Sequence, residues 1–306
     1  MSSKPLVNEL DTPRAAVRRF TAFAMLSDYW TLTKPEVNFL ILITTFVGFY
    51  LGCANAGREF SLLALFNTLL GTLLVASGTA TLNQYIERKF DAQMRRTARR
   101  PLAAGRLEPG AVLGFGILLS VAGSVYLAVA TSVLASLLAL LTLLSYLFLY
   151  TPLKRRTPLC VFVGAFPGAM PPLIGWAAAS GRLQMEAWLL YAILFLWQFP
   201  HFMAIAWMYR EDYDRAGYLV LPKGSARVAV VILQTLLPLL VLVPLSFAQF
   251  PAPHAAMYWV VRLLGAAFLY FGLEFVLQRS RGAARRLLTA SIIYIPLLFA
   301  LKVTLH

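Results

Sequence analysis

Apolar residues in this chain are gathered into long runs divided by short polar segments. The runs are roughly 17 to 22 residues long, which suits membrane-spanning helices; barrel strands would be about half that length and would alternate. Only helices and closed barrels cross a bilayer, because every backbone polar group there needs an internal partner. Nine spans are predicted, at about 38–56, 61–82, 111–130, 132–151, 160–179, 187–207, 228–248, 256–277 and 287–304. The weakest division lies between the third and fourth, where only Thr131-Ser132 interrupts the run. The expected fold is therefore an all-α polytopic membrane protein, with a basic tail over 1–36 and a single nine-helix domain over 37–306.

Composition agrees. Of 306 residues, 59% are hydrophobic and only 13% charged, against about 25% charged in a soluble domain. The first 36 residues are polar and basic, with no apolar core of a secretory leader. Cys53 and Cys160 fall in or beside spans on opposite sides and read as apolar fillers rather than a disulfide or metal pair.

Charge sets the expected orientation. Of 27 lysines and arginines, all but Arg58, Arg182, Arg262 and Lys302 lie in the tail or in the connections 83–110, 152–159, 208–227 and 278–286. The positive-inside rule then puts the N-terminus and these connections in the cytoplasm. The net charge of +14 follows from that topology and from contact with anionic lipid. No soluble basic domain exists to hold nucleic acid, so none is expected as a partner.

Within that basic face, acidic groups next to hydrocarbon call for a physical reason. Asn83, Glu87 and Asp91 are spaced by four and share one face of a helix at the inner end of the second span. An amide and two carboxylates suit magnesium. Arg95, Arg96, Arg99 and Arg100 follow, and guanidinium groups match phosphate oxygens. The plain alternative is a salt-bridged helix end anchored at the headgroups. Glu211, Asp212 and Asp214 form a second acidic cluster on the same side, either the opposing half of a metal site or a solvated loop. Lys154 and Arg155, in Tyr150-Thr151-Pro152-Leu153-Lys154-Arg155-Arg156-Thr157, are further diphosphate candidates or a membrane anchor. His201, beside Gln198 and Pro200, sits inside an apolar run, where it can serve a haem or bond a neighbouring helix. The small residues and prolines of Gly164–Trp176 break a helix and either shape a cavity or pack an interface.

Asn83-x-x-x-Glu87-x-x-x-Asp91-x-x-Met94-x-Arg96-Thr97-x-x-Arg100-Pro101-Leu102 resembles the signature of the UbiA-type intramembrane prenyltransferases. Leu32-Thr33-Lys34-Pro35, Tyr150 to Pro158, Pro171 to Trp176, and Pro200-His201-Phe202 through Asp212-Tyr213 to Leu221-Pro222 resemble the haem-modifying branch of that family. The similarity runs over roughly residues 30–300. Glu87 stands where the family usually has aspartate, keeping the charge on a longer arm. The resemblance implies a nine-helix bundle around a central cavity in a bacterial inner membrane. It implies magnesium as cofactor, farnesyl diphosphate and haem b as substrates, and haem O and diphosphate as products. It also implies a hand-over of haem O to haem A synthase or a terminal oxidase. In that reading Asn83, Glu87, Asp91 and Asp212, with Glu211 and Asp214, hold metal. Arg95, Arg96, Arg99, Arg100, Lys154 and Arg155 hold diphosphate, and His201 holds haem. A prenyltransferase for another aromatic or tetrapyrrole acceptor, a transporter and a haem-handling assembly factor are the competing classes. Charges gathered at one face disfavour the transporter, whose sites lie near the midplane.

Overall fold

A computed structural model of the chain describes residues 22–248 and 255–305. The first 21 residues of the expected tail, and His254 and His306, lie outside the described residues. The elements are α1 (Ala22–Leu32), α2 (Pro35–Asn55), α3 (Leu62–Asp91), α4 (Pro109–Ala130) and α5 (Val133–Leu144). A π-helical turn (Ser145–Tyr150) leads into α6 (Thr151–Leu153). Then come α7 (Cys160–Gly168), α8 (Pro171–Ser180), α9 (Met185–Met208), α10 (Arg210–Arg215), α11 (Ser225–Ala248), α12 (Ala255–Gln278) and α13 (Arg281–Thr304). Among the described residues there are nine helical segments long and apolar enough to cross a membrane, with α5 to α6 and α7 to α8 each counting as one.

Polar residues set the helix ends where the apolar pattern is silent. At the weak division, the Ser132 hydroxyl accepts the Ala135 N–H at 3.1 Å and starts a new helix. Glu108 accepts the N–H groups of Gly110 and Ala111, with Pro109 in the first turn of α4. No cap interrupts the second span at residue 82, so α3 runs on through its polar stripe to Asp91.

The expected tail contains structure. Helix α1 is too short to span, and it exposes Phe23, Leu26 and Trp30, as an interfacial helix does. Its other side is docked: Leu32 is fully buried, Tyr29 meets Phe115 edge-on, and Asp28 takes a bidentate contact from Arg106 at 2.9 Å. Residues 22–32 of that tail are therefore part of the packed body. An eleven-residue amphipathic segment falls below the length a span pattern detects.

The segment α7–α8 is the most enclosed span and forms the centre of the bundle. It meets α2 backbone to backbone. A Cβ on Gly175 would stand 2.0 Å from the Thr45 carbonyl oxygen, and one on Gly48 would stand 2.1 Å from that of Pro172. Such close approach needs glycine. Around this centre α2, α3, α5, α7, α8, α9 and α13 enclose a cavity of about 520 Å³.

Candidate functional site

The polar end of the cavity is built on α3. Asn83, Glu87 and Asp91 are buried, and all three line it. The same helix face continues inward with Ala80, Thr79, Ala76, Val75 and Thr72, so the site runs from charge into apolar depth. Glu87 is the hub. Its carboxylate accepts Lys154 Nζ at 2.9 and 3.1 Å, Tyr218 OH at 2.9 Å and Asn83 Nδ2 at 2.9 Å. Burial opposes the charge on Lys154, but Glu87 more than offsets it and holds the ammonium well above the ordinary lysine value. Arg100 Nη1 meets Asp91 Oδ2 at 2.7 Å.

Asp91 Oδ1 is buried with no hydrogen-bond partner. An unpaired buried carboxylate oxygen is costly unless a cation completes it. With the oxygens of Glu87 and Asn83 on the same cavity wall, the donor set fits magnesium, which takes one or two carboxylates plus water and phosphate.

Of the six expected diphosphate cations, Arg96, Arg100 and Lys154 line the cavity. Arg95 and Arg99 are exposed and lie outside its wall. Arg155 stacks over Phe90, 4.2 Å from the ring centre, in an adjoining groove with Ile86 and Pro152 that shares only Glu87 and Tyr218 with the cavity wall. A lysine not assigned from the sequence also lies on this wall. Lys34 lines the cavity and reaches Asn83 Oδ1 at 3.3 Å. Burial, then Arg100 and Lys154, bring its pKa down to about 7. Its signal was local: Pro35 disfavours right-handed helix at Lys34, and the residue adopts φ 51°, ψ 63° between α1 and α2.

The second acidic cluster has other partners. Asp212 Oδ2 accepts the Arg96 backbone N–H at 3.2 Å, and its other oxygen pairs with Arg215. Burial pushes this carboxyl up, but the Arg96 N–H and Arg215 outweigh it and hold it below the usual aspartate value. Glu211 is exposed beside Arg210, and Asp214 pairs with Arg227 at 3.2 Å. None of the three lines the cavity. Among the described residues no three or more of His, Cys, Asp and Glu are grouped to hold a metal. The two acidic segments do meet, but Asp212 clamps the backbone of the arginine loop instead of facing the hollow. Each acid of α10 has an arginine close in sequence or space, which the spacing of acids alone does not reveal.

The π-helical turn was also illegible. It places Tyr146 and Tyr150 on the cavity wall with ring centres 5.0 Å apart, and Lys154 Nζ lies 4.6 Å from the Tyr150 ring centre. Aromatic faces beside a cation site can stabilise further positive charge. Such turns interrupt α-helices often at functional sites.

On the opposite wall, His201 lines the cavity from α9, with Trp197 stacked on it at 4.6 Å. His201 Nδ1 is 2.8 Å from the Ser291 hydroxyl on α13. Glu274, by contrast, pairs with Arg286 between α12 and α13, away from the cavity.

Residues 5–297 match the model of the UbiA prenyltransferase family. Relatives named protoheme IX farnesyltransferase are 46% identical in Solibacter usitatus, over 90% of this chain and 97% of that protein, and 42% identical in Koribacter versatilis, over 94% and 96%. A solved UbiA homolog from Archaeoglobus fulgidus, bound to DMAPP and Mg2+, shares the fold with a TM-score of 0.64 at 16% identity, over 90% of this chain and 97% of that one.

Proposed function

The chain belongs to the UbiA prenyltransferase family, and from that premise we propose that it transfers farnesyl from farnesyl diphosphate to a vinyl group of haem b. Water adds in the same reaction, and the products are haem O and diphosphate. The observation that carries the reading is one cavity whose polar stripe, Asn83, Glu87 and Asp91, faces Lys34, Lys154, Arg96 and Arg100 at the mouth of an apolar hollow.

Asn83, Glu87 and Asp91 would hold magnesium, which would supply Lewis-acid neutralisation of the leaving diphosphate. Lys34, Lys154, Arg96 and Arg100 bind the diphosphate oxygens and stay fixed as charge builds there, so little reorganisation is needed during bond cleavage. The allylic C–O bond breaks with its electron pair on diphosphate. The faces of Tyr146 and Tyr150 lie beside the resulting farnesyl cation, and apolar residues such as Ile41, Val75 and Leu194 line the path of its tail. The haem vinyl π electrons form the new C–C bond. Water captures the cation next to the ring and loses a proton, leaving a hydroxyethylfarnesyl group. His201 holds the haem. Asp212 acts indirectly, by fixing the loop that presents Arg96 and Arg100.

The protein sits in the bacterial inner membrane with this mouth toward the cytoplasm, because the basic connections share that face. Haem O then passes to a terminal oxidase, directly or after conversion to haem A.

The test is reconstituted protein with haem b, farnesyl diphosphate and magnesium, read by mass spectrometry for haem O. Asp91→Ala should abolish product at unchanged abundance. Prenylation of 4-hydroxybenzoate with no haem O would overturn the acceptor assignment.

A further inference from the structure

The cavity wall made by α9 and α13 carries a hydrogen-bond chain that fixes the chemistry of one ring nitrogen. The Ser291 hydroxyl has one proton, and it donates that proton to the Leu288 carbonyl at 2.6 Å. Toward His201 Nδ1, 2.8 Å away, it can only accept. Nδ1 therefore carries the hydrogen. In the neutral imidazole the lone pair is then on Nε2, which has no hydrogen-bond partner among the described residues. The arrangement is held from both sides. Trp197 stacks on the imidazole and donates its indole N–H to the Ser291 carbonyl at 2.8 Å.

The ring is also at a useful depth. His201 lies seven residues before the end of α9, and Asn83 lies eight before the end of α3. Those are roughly 10 and 12 Å along a helix. The two helix ends share one face of the bundle, since the segments that follow them are joined by Arg96 and Asp212. His201 thus faces the hollow about level with the polar stripe.

We propose that Nε2 of His201 is the axial ligand of the iron of the haem substrate, and that Ser291 is the positioning residue that sets its tautomer and direction. This rests on the haem reading above. A ligating imidazole normally donates its other N–H to a fixed acceptor, which orients the ring and raises its basicity. Here that acceptor is a hydroxyl whose own proton is committed elsewhere. Of the chain's three histidines, His201 is the one among the described residues.

The test is titration of purified protein in detergent with ferric and ferrous protohaem IX, read by absorbance and by resonance Raman scattering from the ferrous iron–imidazole bond. Wild type should show that band. His201→Ala should lose it, and free imidazole should restore it, while a circular dichroism spectrum like that of wild type shows that the variant is folded. Ser291→Ala should still bind haem, about tenfold more weakly, with the band moved to lower frequency; second-shell losses cost about 10- to 100-fold in metal affinity. Ser291→Thr should return it. An unchanged band in His201→Ala overturns the ligand assignment, and one in Ser291→Ala overturns the positioning role. If wild type makes haem O yet either result appears, only this inference falls. If wild type neither binds haem nor makes haem O, the acceptor reading falls and takes this one with it.

Discussion

Exchanging Lys154 for Met would leave the Glu87 carboxylate without its nearest cation. The two groups lie 2.9 Å apart with side-chain exposures of 13% and 7%. At that separation their attraction is about 6 kcal/mol for an effective dielectric near 20, against about 1.4 kcal/mol in bulk water. Desolvation offsets most of the larger figure, so the intact pair adds little net stability. Removing one member is different, because it strands a buried charge. Lys154→Met and Glu87→Gln should each destabilise by about 3–5 kcal/mol. The double variant should cost less than the sum of the two, with a coupling of about 2–3 kcal/mol. The assay is a double-mutant cycle of denaturant unfolding in detergent, run beside binding of a non-hydrolysable farnesyl diphosphate analogue. Stability should partly recover in the double variant while analogue binding does not, since Lys154 is also a phosphate contact. A coupling under about 0.5 kcal/mol, the usual scatter of additivity, would mean that water screens the pair, and the buried-hub account of Glu87 would be refuted.

Other outcomes follow from the same geometry. Lys34→Met should weaken analogue binding about 10- to 100-fold, the worth of one hydrogen bond to a charged group; unchanged affinity would remove Lys34 from the site. Chelating divalent cations should lower analogue affinity in wild type but add little in Asp91→Ala, and an equal drop in both would place the metal elsewhere. Gly175→Ala should destabilise by about 1–3 kcal/mol, because its Cβ would meet the Thr45 carbonyl at 2.0 Å and force α2 and α8 apart; a wild-type unfolding midpoint would contradict that contact. Asp212 has its folded pKa below the ordinary value, so its stabilisation is present above about pH 4 and is lost as pH falls through the lowered value. The stability gap between wild type and Asp212→Asn should therefore close below about pH 4, and a gap that persists there would show that the carboxylate charge is not what holds the arginine loop.

The sequence by itself determined the solvent and the number of spanning segments. Nine runs of spanning length in a charge-poor chain admit few alternatives, and Thr131-Ser132 marks a real break because a serine hydroxyl can replace the missing helical acceptor. The stripe Asn83, Glu87 and Asp91 was equally legible, since residues four apart on one helix share a face whatever surrounds it. Tertiary structure decided which charges that stripe meets. Lys34, Lys154, Tyr218 and Arg100 come from four separate stretches of chain, and only packing brings them within 3.3 Å of it. It also turned Asp212 toward the Arg96 backbone and left Arg95 and Arg99 outside the wall, because direction within a loop is set by hydrogen-bond partners that spacing does not encode. The tautomer of His201 is the furthest case: it depends on where one hydroxyl proton of a helix ninety residues away is directed.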